Sequence, residues 1–143
     1  MTLSFDGTIL VPVADPDDGE RTAAALAPYL EPSSTVVVVN VIEKADGAPD
    51  KASVEQREEY AGEIFERARG PLADAPGTVE TAILFGTDVV ERIFEAAEDR
   101  AVDAVVFEPR KGGRFADLLA GDVARRLVKE AAVPVVALPR TDA

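Results

Sequence analysis

The chain has 143 residues, 47% of them hydrophobic, a length that fits one domain with a real core and is short for two. Its 27 acidic residues outnumber 15 basic ones for a net charge of −12, which opposes binding to duplex nucleic acid or an anionic membrane surface, because no net attraction to phosphate remains. The chain contains no histidine and no cysteine, which excludes Ser-His-Asp and Cys-His triads, imidazole and thiolate metal sites, and disulfides.

The opening "MTLSFDGTILVPVADPDD" lacks the basic start of a signal peptide, and no apolar run approaches the roughly 20 residues that cross a bilayer. A soluble, cytoplasmic protein is therefore expected. The acidic excess also suits a salty cytoplasm, where a Debye length of about 3 Å at 1 M blunts self-repulsion, so a halophilic source is expected, with an ordinary acidic mesophile protein as the alternative.

"TILVPV" (8–13) predicts a first strand, apolar and β-branched, and the turn-rich "ADPDDGE" follows it. "RTAAALAPYL" (21–30) predicts a helix with Asp17 or Asp18 as its N-cap. "TVVVVNVI" (35–42) is apolar on both faces, which predicts a strand inside a parallel sheet. The polar stretch 43–51 predicts a loop, after which Ser53 and Gln56 form a capping box that opens a long helix. Ala61, Ile64, Phe65, Ala68 and Leu72 line one face of that helix, and Pro76-Gly77 ends it.

"TVETAILF" (78–85) predicts a third strand, and residues 89–100 a helix with Val89, Val90, Ile93, Phe94 and Ala97 inward. "AVDAVVF" (101–107) predicts the fourth strand, residues 122–131 a last helix, and "VPVVALP" (133–139) the fifth strand. Strands alternating with helices of this length predict an α/β domain over residues 1–143, a parallel doubly wound sheet with helices on both faces. In such sheets ligands sit beyond the carboxyl ends of the strands where strand order reverses. The first and fourth strands are the expected neighbours there. That sets "VADPDD" (13–18) beside "EPRKGGRFADLLAGDVARRL" (108–127), a loop with glycines and basic residues.

"ILVPVADPDDGERTAAALA", "VVVVNVIE", "ILFGTDVVERIFEAAEDRAVDAVVFEPR" with Gly86 and Asp103, and "GDVARRLVKEAAVPVVALP" resemble, in order and spacing, the universal stress protein family over nearly the whole chain. The resemblance implies a Rossmann-like, flavodoxin-like strand order 3-2-1-4-5, a homodimer and a stress-associated role. Some members bind ATP through glycine, two residues, glycine, nine residues, then glycine and Ser or Thr; others lack that motif and do not. Counting back from Gly121, the motif glycines fall at Glu108 and Lys111, and the hydroxyl position is Asp122, so only Gly121 matches. The first loop departs as well. ATP-binding members carry an Asp directly after the strand's Val, where this chain has Ala14 and then Asp15.

The resemblance thus implies a pocket made of Pro12, Val13, Ala14 and Asp15, of Val41, and of Glu108, Arg110, Lys111, Gly112, Gly113, Gly121, Asp122 and Val123. Glu108 adds bulk and negative charge where a backbone must approach a phosphate, and Pro109 removes a donor. Arg110, Lys111 and Arg114 either offset nearby carboxylates on a solvated loop or hold a smaller anion. The glycine pair is read as a source of loop flexibility, with Leu118 and Leu119 as core anchors.

Asp122 is expected as N-cap of the last helix, accepting from the N–H of Ala124 or Arg125 and so occupying the anion site itself. A phosphate oxygen about 4 Å away would meet a repulsion of about 4 kcal/mol at an effective dielectric of 20. No cofactor is expected, and ATP is disfavoured.

Val133, Pro134, Val135, Val136, Ala137 and Leu138 form an apolar terminal strand, expected to pair with its copy across a two-fold axis. The reading that follows is a dimeric, non-catalytic stress-response module that binds a protein partner or a small ligand through a degenerate nucleotide site. An ATP-binding switch of the same family is the alternative. A weak nucleotide hydrolase is a third reading, and the absence of His, of Cys and of a GxxxxGK[ST] loop counts against it.

Overall fold

The computed structural model describes residues 3–44, 51–109 and 122–139. Unbroken runs of Val, Ile and Leu have no polar side to turn to water, and they form the centre of a parallel sheet. β1 (Thr8–Pro12) runs beside β2 (Thr35–Glu43), with Thr8 opposite Thr35 and Pro12 opposite Val39. β3 (Thr78–Gly86) pairs along the whole of β2. On the other side β4 (Ala104–Phe107) pairs with β1, and β5 (Val135–Ala137) with β4. All pairs are parallel and the order is β3-β2-β1-β4-β5, the α/β arrangement that the sequence predicts.

Side chains alternate across the sheet with period two and so build two cores. Ile9, Val11, Val36 and Val38 meet Leu26 of α1 (Pro16–Leu26) and Ile64 and Phe65 of α2 (Lys51–Leu72). Leu10, Val37, Val39 and Val105 meet Val90, Ile93 and Phe94 of α3 (Val89–Asp99) and Leu127 of α4 (Asp122–Lys129). Among the described residues no helix is long and apolar enough to cross a membrane.

Several element ends differ from expectation, each for a local reason. The N-cap of α1 is Asp15, not Asp17 or Asp18: Pro16 takes the first helical position, and the Asp15 carboxylate accepts from the Asp18 N–H at 2.7 Å. The helix gives way at Ala27–Tyr29 to a 3₁₀ turn around Pro28. α2 begins at Lys51, so Ser53 lies within it and does not cap it. It ends at Leu72, directly after Pro71 has removed a helical donor, and thus ahead of Pro76-Gly77.

Gly77 serves the next entry instead. Its φ of +102° suits glycine, and a Cβ there would lie 2.7 Å from the Ser34 carbonyl oxygen. β4 starts at Ala104 and not at 101, because Ala101 turns with φ 51° and the Asp103 carboxylate accepts from the Thr8 N–H at 2.9 Å. β5 is shorter than the predicted strand. Pro134 precedes it, and its carbonyl accepts from the Val105 N–H at 2.9 Å.

Candidate functional site

Strand order reverses between β1 and β4, so the crevice beyond their carboxyl ends is the expected site. Continuing the parallel register Leu10↔Val105 by three residues sets Val13 beside Glu108. Pro12, Val13, Ala14, Asp15 and Glu108 are therefore brought to one end of the sheet.

The loop after β1 is held by polar groups buried under it. Val13 donates to the Val39 carbonyl at 2.9 Å, and its own carbonyl accepts from Asn40 Nδ2 at 2.9 Å. Ala14 N–H donates to Asp18 Oδ2 at 2.7 Å, and Thr22 Oγ1 donates to Asp18 Oδ1 at 3.1 Å. Asp18, Thr22 and Asn40 are all buried, so each of these bonds satisfies a group that would be costly to leave unpaired. The start of α1 has little left for a ligand. Pro16 carries no N–H, the Asp18 N–H goes to the Asp15 carboxylate, and the Gly19 N–H to the Asp15 carbonyl at 2.8 Å. The positive end of this helix is already occupied by a carboxylate of the chain itself.

Glu108 is not a solvated loop residue. Its side chain is 1% exposed, and Oε1 lies 3.5 Å from Nη2 of Arg21, whose side chain is 42% exposed. A carboxylate is thus buried at the position where the family resemblance leads one to expect a motif glycine, with a cation from α1 set against it. Beside the same loop, the half-exposed Tyr60 of α2 has its phenol raised above the ordinary value by burial, then by the carboxylates of Asp15, Glu63 and Asp17.

Asp122 behaves differently from expectation. It is the first residue of α4, and among the described residues its carboxylate pairs with the Arg125 guanidinium. Its side chain is 77% exposed, so an adjacent cation and water offset its charge. Of the two acids, Glu108 is the buried one and Asp122 the exposed one. Val41 is buried in the α3–α4 core, and Val123 packs against that core. Arg110, Lys111, Gly112, Gly113 and Gly121, with Arg114, Leu118 and Leu119, lie outside the described residues.

α4, which follows the second loop, is fixed by Arg126. Its Nη2 donates to Asp88 Oδ2 at 3.1 Å and its Nε to Glu130 Oε2 at 2.7 Å. Asp88 also caps α3, accepting from the Glu91 N–H at 3.0 Å. That backbone bond, with Arg126 adding to it against a smaller opposing effect of burial, holds the Asp88 carboxyl below its ordinary value. Arg126 likewise lowers Glu130, and the two carboxylates raise Arg126.

A second concavity lies beyond β3, an open groove of about 340 Å³ lined by Lys44, Phe85, Gly86, Thr87 and Arg92 among others. The Lys44 ammonium sits 5.3 Å from the centre of the Phe85 ring, and Arg92 Nε donates to the Phe85 carbonyl at 3.0 Å. Gly86 lets Arg92 lie this close, since a Cβ would fall 2.9 Å from the Arg92 Cβ.

Along β5, Val133, Val135 and Val136 are half-buried, while Pro134 and Ala137 are exposed. Leu138 is 3% exposed and packs in the α1–α2 core of its own chain, so its side chain is not on the strand's open surface. Sequence reasoning missed Arg21, Asn40 and the inward role of Asp18. Asn40 did carry a signal, as a polar residue in the middle of the otherwise apolar run 36–42. Asp18, Arg21 and Thr22 carried another, at helical spacing just after the first loop.

A model of the Universal stress protein family matches residues 7–139. Among solved structures, the universal stress protein from Archaeoglobus fulgidus is similar at 22% identity and a TM-score of 0.65, covering 93% of each chain. The structure of the universal stress protein from the same organism in complex with dAMP is similar at 21% identity and 0.65, covering 93% of this chain and 98% of that one. A universal stress protein in complex with cAMP is similar at 16% identity and 0.62, covering 94% and 98%. Among curated proteins none matches the sequence significantly.

Proposed function

The chain belongs to the universal stress protein family, and from that premise we propose that it is a non-catalytic, dimeric stress-response module whose nucleotide pocket is closed to ATP. It acts in the cytoplasm by binding a partner or a small ligand. The observation that carries this reading is buried Glu108 at the end of β4, paired with Arg21, beside an α1 start whose donors are taken by Asp15 and Asp18. A nucleotide phosphate entering there would meet carboxylates in a poorly hydrated site, where repulsion is least screened. The complexes of relatives with dAMP and cAMP favour a second reading, a nucleotide-binding switch.

The two readings separate in thermal unfolding with added nucleotide. A ligand at 100 times its Kd stabilises the fold by about 2.7 kcal/mol, a rise in Tm of several degrees. On the closed-pocket reading, 1 mM ATP, ADP or AMP leaves Tm where it is. A shift of several degrees with any of them supports the switch. Dimerisation rests on β5, a sheet edge with Pro134 at its start, and is measured by light scattering at micromolar concentration.

A further inference from the structure

Arg21 and Glu108 come from different elements, one on α1 and one just past β4, and their burial is unequal. The carboxylate is sealed from solvent, whereas the guanidinium remains reachable. Their closest contact, 3.5 Å, is longer than the roughly 2.7–2.9 Å of a charge-assisted hydrogen bond. A guanidinium presents five donors in a fork that fits a carboxylate or a phosphate, and one such contact leaves most of the fork unused.

We propose that Glu108 is an internal surrogate for a ligand's phosphate, with Arg21 as its receptor, so that this pair sets the charge of what the crevice accepts. The proposal rests on the closed-pocket reading and deepens it. With the Glu108 carboxyl buried against it, Arg21 is already partnered, and the crevice favours ligands without a phosphate. With that carboxyl replaced, Arg21 becomes an uncompensated cation beside the Val13–Asp15 loop, and a phosphomonoester is the matching ligand class. No bond is made or broken. The exchange is of one anion for another at the same guanidinium.

The experiment is a set of calorimetric titrations with AMP, with adenosine and inorganic phosphate as separate probes, at constant ionic strength. The proteins are the wild-type chain, Glu108→Gln and the double variant Glu108→Gln/Arg21→Gln. Glu108→Gln is nearly isosteric. Glu108→Met, which fills the same volume with apolar atoms, repeats the test if the amide disturbs folding, and thermal melts check both.

The expected result is an AMP affinity at least tenfold higher in Glu108→Gln than in wild type, about 1.4 kcal/mol, with no change for adenosine. The gain should vanish when Arg21 is also replaced. Phosphate binding alone in Glu108→Gln, again lost with Arg21, supports the receptor and shows that the adenine adds nothing. No gain in either folded Glu108 variant overturns the proposal, and so does a gain that survives loss of Arg21. Tight AMP binding by the wild-type chain is a separate failure, that of the closed-pocket reading itself.

Discussion

Asp88 serves two elements at once, capping α3 through the Glu91 N–H and receiving Arg126 from α4. Asp88→Ala should cost about 1 kcal/mol for the lost cap, with the tie to α4 lost in addition. The folded state holds this carboxyl below its ordinary value, so its contribution is fully present above about pH 4 and fades as pH falls through the depressed value. Urea unfolding of both proteins should therefore show the full gap at pH 7 and a smaller one near pH 3. Single residues were the hardest scale to read from sequence. Asp122 and Glu108 are both acids at motif positions, and nothing local distinguishes the exposed one, paired with Arg125, from the buried one, paired with Arg21. The difference lies in Arg21 of α1 reaching Glu108 just past β4, a contact between residues distant in the chain.

Elements were legible where one physical cause acts along their whole length. β2 is apolar on both faces and could only be an inner strand; α3 presents one clean apolar stripe. Their ends were less legible because tertiary contacts set them. Asp103 meets Thr8 with both its backbone N–H and its carboxylate just before β4, and Pro16 draws α1 back to an Asp15 cap. Gly77 is such a boundary residue. Gly77→Ala would force an L side chain to φ +102° and place its Cβ 2.7 Å from the Ser34 carbonyl oxygen. A loss of about 1–3 kcal/mol is expected, read as a lower urea midpoint with an unchanged slope. A midpoint within error of wild type would mean that β3 enters the sheet by another path.

For the molecule as a whole, the doubly wound architecture followed from alternating strand and helix patterns, and the order β3-β2-β1-β4-β5 from family resemblance. The crevice at the order reversal was legible for the same reason; its contents were not. A net charge of −12 does not keep two copies apart when salt screens it, and β5 is one of the two edge strands of the sheet, β3 being the other. Ala137 is exposed on that strand, so Ala137→Lys should leave the fold intact and convert a dimer to a monomer in light scattering. A dimer that persists through this substitution places the interface elsewhere.

On the closed-pocket proposal, the chain's own carboxylates fill the place of a nucleotide's phosphates. Calorimetric titration of ATP into the wild-type protein at high salt tests it most directly. No saturable heat is expected up to millimolar ATP, and a Kd in the micromolar range would overturn the closed-pocket proposal.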